Sequence, residues 1–165
     1  MKFANYLLSC LFIVGFAGVA SAQQSPPATM KATVGGANVE VNYHQPSARG
    51  RDVMGGLVPY GEVWRTGANA ATTISFDRNV KIEGEDLDAG TYSLYTIPGE
   101  KNWTIIFNSA TGQWGTQYPA EKDALRVEVP AGKTGSFVET FTISSDDDHV
   151  ILSWENTQVR FEVKS

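Results

Sequence analysis

Apolar and polar residues alternate along most of this chain from residue 30 onward. Val39, Val41 and Tyr43 are interleaved with Glu40, Asn42 and His44, and Ile74 and Phe76 with Thr73, Ser75 and Asp77. Leu125, Val127 and Val129 alternate with Arg126 and Glu128. The same period of two returns at Val150, Leu152 and Trp154, and again at Val159, Phe161 and Val163. Successive side chains of a strand point to opposite faces, so this alternation predicts strands with one face in a core. Trp103, Ile105 and Phe107 fit the same pattern, with Ile106 offering a second apolar face. A period of 3.6 is not found. Helix is predicted only as one or two turns over Ala120 to Ala124, behind Pro119.

Turn residues separate the runs. Gly35-Gly36 predicts a two-residue hairpin between 30–34 and 37–43. Asn156-Thr157 reads as a second hairpin between Trp154 and the last run. Gly84 and Ala89-Gly90 punctuate 79–92, and Pro98-Gly99 closes 91–97. The result is nine to ten short strands with minimal helix. That pattern predicts an all-β fold, an antiparallel two-sheet sandwich of jelly-roll-like kind, as a single domain over 30–165. Its facing sides are expected to include Val39, Val41, Tyr43, Ile74, Phe76, Leu94, Ile105, Phe107, Phe141, Leu152, Trp154 and Phe161. Parallel α/β folds are excluded for want of crossover helices. Propellers and solenoids are excluded because no repeat of 20–50 residues is present.

The first 22 residues stand outside this scheme. Lys2 precedes an apolar run from Leu7 to Val19, and Ala20-Ser21-Ala22 is a small-x-small cleavage site. This is the pattern of a secretory signal peptide, too short to span a bilayer. The chain is therefore expected to be exported, periplasmic or extracellular, beginning at Gln23, with no stable membrane insertion after cleavage. Residues 23–29 are expected to form a flexible, proline-bearing lead-in. Cys10, the only cysteine, lies early in the apolar run rather than after it, so a lipoprotein anchor is excluded. The mature chain then has no thiol, and its stability must come from its core.

Charge narrows the range of partners. Thirteen Lys and Arg stand against 18 Asp and Glu, a formal net charge of −5, which argues against nucleic acid. The basic residues are unevenly placed: Arg49, Arg51 and Arg65 all fall in the one stretch where alternation stops, between His44 and Ala71. That stretch holds five glycines and two prolines in 28 residues. Loops longer than about 12–15 residues are uncommon in compact domains and are often functional.

Within it, Pro46-Ser47-Ala48-Arg49-Gly50-Arg51 and the run from Gly55 to Asn69 (GGLVPYGEVWRTGAN) resemble a bacterial exported family, the domain of unknown function 2911. The resemblance continues through Ala89 to Gly99, Trp103 to Asn108, Gln113-Trp114-Gly115 and Trp154-Glu155-Asn156-Thr157. It implies an exported β-rich domain, and it carries no catalytic residues with it.

Arginine presents a planar fork suited to carboxylate, phosphate or sulfate. If the long loop folds back on itself, Arg49, Arg51 and Arg65 converge beside Trp64 and Asn69, with His44 at the rim. The alternative is that each arginine pairs with Asp52, Glu62 or another internal carboxylate and merely pins the loop. A second candidate is the stretch Asn108 to Tyr118, where Trp114 and Tyr118 fall outside any alternating run and could stack on a sugar face. Its alternative is that Trp114 folds down to cap an open end of the sandwich.

Other chemistry finds little support. The motifs of nucleotide-binding loops, metalloproteases and serine hydrolases are missing, and no cofactor is implied. Ser47 and His44 lie three apart but without an oxyanion-hole motif. Two histidines, His44 and His149, are too few for a His-rich metal site, and Asp146-Asp147-Asp148 reads as a solvated turn, so no metal is expected. Three functions remain: a binding or interaction module for a small polar, anionic or glycan ligand, a hydrolase or isomerase acting on a glycan or anionic substrate, and a purely structural envelope domain. The lack of a nucleophile–base motif favours the first.

Overall fold

The computed structural model describes residues 24–165. The expected export signal over 1–22 lies outside them. Ten strands form: β1 (Pro27–Val34), β2 (Ala37–His44), β3 (Thr73–Phe76), β4 (Val80–Ile82), β5 (Glu85–Leu87), β6 (Gly90–Ile97), β7 (Asn102–Asn108), β8 (Asp123–Pro130), β9 (Gly132–Ser145) and β10 (His149–Lys164). They make two antiparallel sheets, one of six strands in the order β1-β2-β3-β6-β7-β8 and one of four in the order β5-β4-β10-β9. A single 3-10 turn, Ala120–Lys122, follows Pro119 as expected. No helix among the described residues is long and apolar enough to cross a membrane.

The period-two residues meet between the sheets. All twelve expected core residues are buried in one cluster, from Val39 and Val41 on β2 to Phe161 on β10. Aromatic edges lock it: Phe107 packs edge-on against Phe161 of the other sheet at 5.6 Å between centroids, and Tyr43 against Phe141 at 5.7 Å. Tyr43 also ties the sheets together, since its hydroxyl accepts the Ile143 N–H at 3.0 Å. Ile106, with Tyr95 and Ala71, fills a smaller cluster on the outer face of the large sheet. That is the second face its position predicted.

The Gly35-Gly36 turn forms as predicted, with Val34 opposite Ala37 and both glycines at positive φ, 54° and 86°. Glycine is required at 35 for a further reason, because a Cβ there would fall 1.7 Å from the Val163 carbonyl oxygen.

Two expectations are corrected. Asn156-Thr157 is not a hairpin: β10 runs unbroken through it, with its pairing to β9 shifted between Ser153 and Thr157. Glu155 sits at φ 51° there, so the polar residues mark a bulge that bends one long strand. The lead-in is also shorter than expected. β1 begins at Pro27, and Pro27 to Thr29 pair with His44 to Asn42.

Candidate functional site

The long loop after β2 closes one end of the sandwich and is fastened to both sheets. On the small-sheet side it bridges β9: Ala48 donates its N–H to the Glu139 carbonyl at 2.8 Å, and Phe141 donates to the Pro46 carbonyl at 2.9 Å. On the large-sheet side Trp64 exchanges two backbone bonds with Thr96 of β6, at 2.7 and 2.9 Å. Between these anchors Val53 and Val58 drop into the core. The carboxylate of Glu155, turned inward by the β10 bulge, accepts the N–H groups of Val53 at 3.1 Å and Met54 at 3.3 Å. Sequence reading missed Glu155, which looked like part of a turn.

Three of the loop's residues, Arg49, Thr66 and Asn69, adopt positive φ without being glycine, at 52°, 55° and 59°. Such backbone is costly for a β-branched residue and persists only where surroundings enforce it. Thr66 is enforced: it is fully buried, its hydroxyl donates to Thr96 Oγ1 at 3.2 Å, and its carbonyl accepts Thr72 Oγ1 at 2.7 Å.

The loop encloses a cleft of about 580 Å³. Arg49, Arg51, Trp64, Arg65 and Asn69 all line it, with Trp154 of β10 beneath. Five of the six residues of the first candidate are thus brought together. His44 is not among them. It ends β2 and lines a separate small cavity with Ala28, Tyr43 and Ala71. The floor is aromatic, since Trp64 stacks on Trp154 at 5.8 Å with 21° between planes and meets Phe141 and Trp103 edge-on. Trp64 therefore serves the core and the cleft at once.

The arginines divide sharply by location. The three elsewhere are each paired: Arg78 with Asp77 at 3.1 Å, Arg126 with Asp123 at 2.7 Å and Arg160 with Asp146 at 3.4 Å. The three in the cleft make no ion pair among the described residues, although Glu62 also lines it. Arg51 is a brace, donating from Nε to the Ala48 carbonyl at 3.0 Å and from Nη2 to the Ser47 carbonyl at 2.8 Å. Arg49 donates its backbone N–H to the Glu139 carboxylate at 2.8 Å, and its guanidinium makes no hydrogen bond among the described residues. The Nε of Arg65 is buried with no partner among the described residues.

The second candidate stretch meets the first at Arg65. Gly115 donates its N–H to the Asn69 carbonyl at 3.1 Å, and Ala70 bridges to Trp114. A Cβ at 115 would lie 2.3 Å from Arg65 Cδ, so glycine is what lets Arg65 run past. Trp114 is 54% exposed and does not cap the sandwich. Tyr118 is half-buried on Tyr95, with its hydroxyl donating to Asp123 and accepting from Arg126 at 2.7 Å.

Burial, and then the bond to Asp123, push the Tyr118 phenol up to about 12. A raised folded-state value gives stability that is complete below the ordinary tyrosine range of about 10 and is lost as pH climbs toward 12. Denaturant melts between pH 9 and 12 are expected to show this alkaline decline, and Tyr118→Phe to flatten part of it. An unchanged slope in the variant would contradict the assignment.

Ser47 offers little to a hydrolase. Its hydroxyl is hydrogen-bonded to Thr140 Oγ1 at 2.9 Å, not to His44. Asp146 caps the β9–β10 turn, accepting the N–H groups of Asp148 and His149, in keeping with a solvated turn. No group of His, Cys, Asp or Glu that could hold a metal occurs among the described residues.

No curated protein and no solved structure matches this chain. A family model described as "Protein of unknown function (DUF2911)" matches residues 25–163, nearly all of the described residues, and the chain belongs to that family.

Proposed function

We propose that this domain is a non-catalytic binding module of the bacterial envelope that holds a polar or anionic ligand in the arginine cleft. The observation that carries the reading is the division among the arginines. Every arginine outside the cleft has a carboxylate, and those lining it have none among the described residues. Arg51 is engaged by loop carbonyls, which leaves the guanidiniums of Arg49 and Arg65 as the free forks among the described residues. The buried Nε of Arg65, without an acceptor among the described residues, is an unmet donor that an anion satisfies once the side chain turns toward the cleft. The rest of the protein is acidic, so long-range steering would oppose an anion. Affinity must come from short, matched, bidentate bonds. The export signal in the sequence supports an envelope location.

The test uses arginine-to-lysine changes, which keep charge and remove the fork. Thermal shift with phosphate, sulfate, citrate and galacturonate is expected to find at least one stabilising anion. At 100 times its Kd such a ligand adds about 2.7 kcal/mol. Arg65→Lys breaks no internal hydrogen bond, so it is expected to melt near wild type and lose that stabilisation. Arg51→Lys removes two bonds to loop carbonyls and is expected to melt lower even without ligand. A large fall in the melting temperature of ligand-free Arg65→Lys would make Arg65 a brace and defeat the proposal.

A further inference from the structure

The arginine cleft does not end at Arg65. A second cavity of about 280 Å³ lies against it and shares Val63, Trp64 and Arg65 as a common wall. Its far side is built by Gly115, Thr116 and Tyr118 of the other loop. Arg65 belongs to both linings, its Nε is buried without a partner among the described residues, and the missing side chain at Gly115 leaves room for its Cδ. Trp114, next in the chain to Gly115, is one of the most exposed large apolar residues of the domain. The two stretches that the sequence singled out separately thus meet at one shared wall.

From this we infer that the ligand is an acidic oligosaccharide, a chain of sugars bearing carboxylates. It lies across Trp64 and Arg65 with one unit in the arginine cleft and the next beside Thr116 and Trp114. The inference rests on the binding reading above and names its ligand class. Four features select this chemistry. Two adjacent cavities suit a ligand of more than one ring, because a single ring fills one and leaves the other empty. Planar forks in the first match carboxylates in two-point contact. Trp64, which lines both cavities, and the exposed Trp114, next in the chain to Gly115 of the second, offer flat apolar surface of the kind that packs on the C–H face of a sugar, while Asn69 and Thr116 supply hydrogen-bonding groups for hydroxyls. An acidic peptide would also meet an arginine cluster, but the exposed Trp114 and the hydroxyl-bonding Thr116 beside the second cavity favour the sugar.

The experiment compares trigalacturonate, galacturonate and the neutral maltotriose by tryptophan fluorescence and thermal shift on the exported chain. Trigalacturonate is expected to bind at least ten-fold tighter than galacturonate, and maltotriose not to bind. Trp114→Ala is expected to reduce the trimer to the affinity of the monomer while leaving the monomer unchanged. Thr116→Glu, an exposed change that sets a like charge in the second cavity, is expected to do the same. Arg65→Lys is expected to abolish both. Equal affinity for trimer and monomer, binding of maltotriose, or a trimer preference that survives both second-cavity variants would overturn the inference. If neither uronate binds but phosphate or citrate stabilises in an Arg65-dependent way, the binding module stands and the glycan assignment falls. If no anion stabilises the protein, both fall.

Discussion

Trp154→Ala is expected to destabilise the domain by about 3–5 kcal/mol, the range for emptying a buried aromatic site. Trp154 is 1% exposed, on β10 beneath the cleft. It stacks on Trp64, packs on Phe141 at 5.8 Å, and donates its indole N–H to the Glu139 carbonyl at 3.1 Å. The loss therefore combines a cavity with the lost indole hydrogen bond, while the Glu139 carbonyl keeps the Ala48 N–H as a donor. Trp64, deprived of its stacking partner, would tilt into the space, so the variant should also lose ligand stabilisation at the cleft. Chemical denaturation measures the first effect. A loss under about 1 kcal/mol would mean that the ring is not enclosed as described.

Glu155→Ala is expected to be the next most damaging change, at about 1–3 kcal/mol for each donor left without a partner. Val53 is fully buried, and its N–H has the Glu155 carboxylate as acceptor. The damage should be local as well as global. Amide exchange at Val53 and Met54 should accelerate far more than exchange in β6 or β7. Glu155→Gly removes the same bonds but suits the positive φ, so it should be the milder variant. Equal exchange rates in wild type and Glu155→Ala would show that the β10 bulge does not hold the loop.

The strands were readable from the chain because period two is a local signal. Each run from Val39 to Phe161 could be assigned a buried face without knowing its partner, and the core formed from those faces. The bulge at Glu155 was not readable. Asn156-Thr157 has turn chemistry, and only pairing with β9 across its whole length keeps the strand going. His44 was misplaced for a related reason. Proximity to the arginines in sequence suggested a shared rim, but as the last residue of β2 its surroundings are fixed by the sheet.

The loop could be recognised as irregular but not shaped. Its anchors, Glu139, Thr96 and Glu155, lie at least 30 residues away in the chain, and no local pattern encodes them. The same limit applied to the arginines. Sequence showed three forks close together, but whether carboxylates reach them depends on the placement of Asp52, Glu62 and Glu139 in space.

The central claim is that Arg49 and Arg65 offer their guanidiniums to a ligand, while Arg51 braces the loop. Each arginine carries an Nε–H that NMR observes individually, and the six in this chain divide into two groups of three. Titration with galacturonate, or with the best-stabilising anion of the thermal-shift panel, is expected to move the Nε–H signals of Arg65 and Arg49 progressively to saturation. Arg51, whose Nε–H is already bonded to the Ala48 carbonyl, should move less. Arg78, Arg126 and Arg160, held by Asp77, Asp123 and Asp146, should stay in place. Saturable movement confined to the cleft is the predicted result. Movement of all six together, or no movement at Arg65 while the anion stabilises the protein, would contradict it.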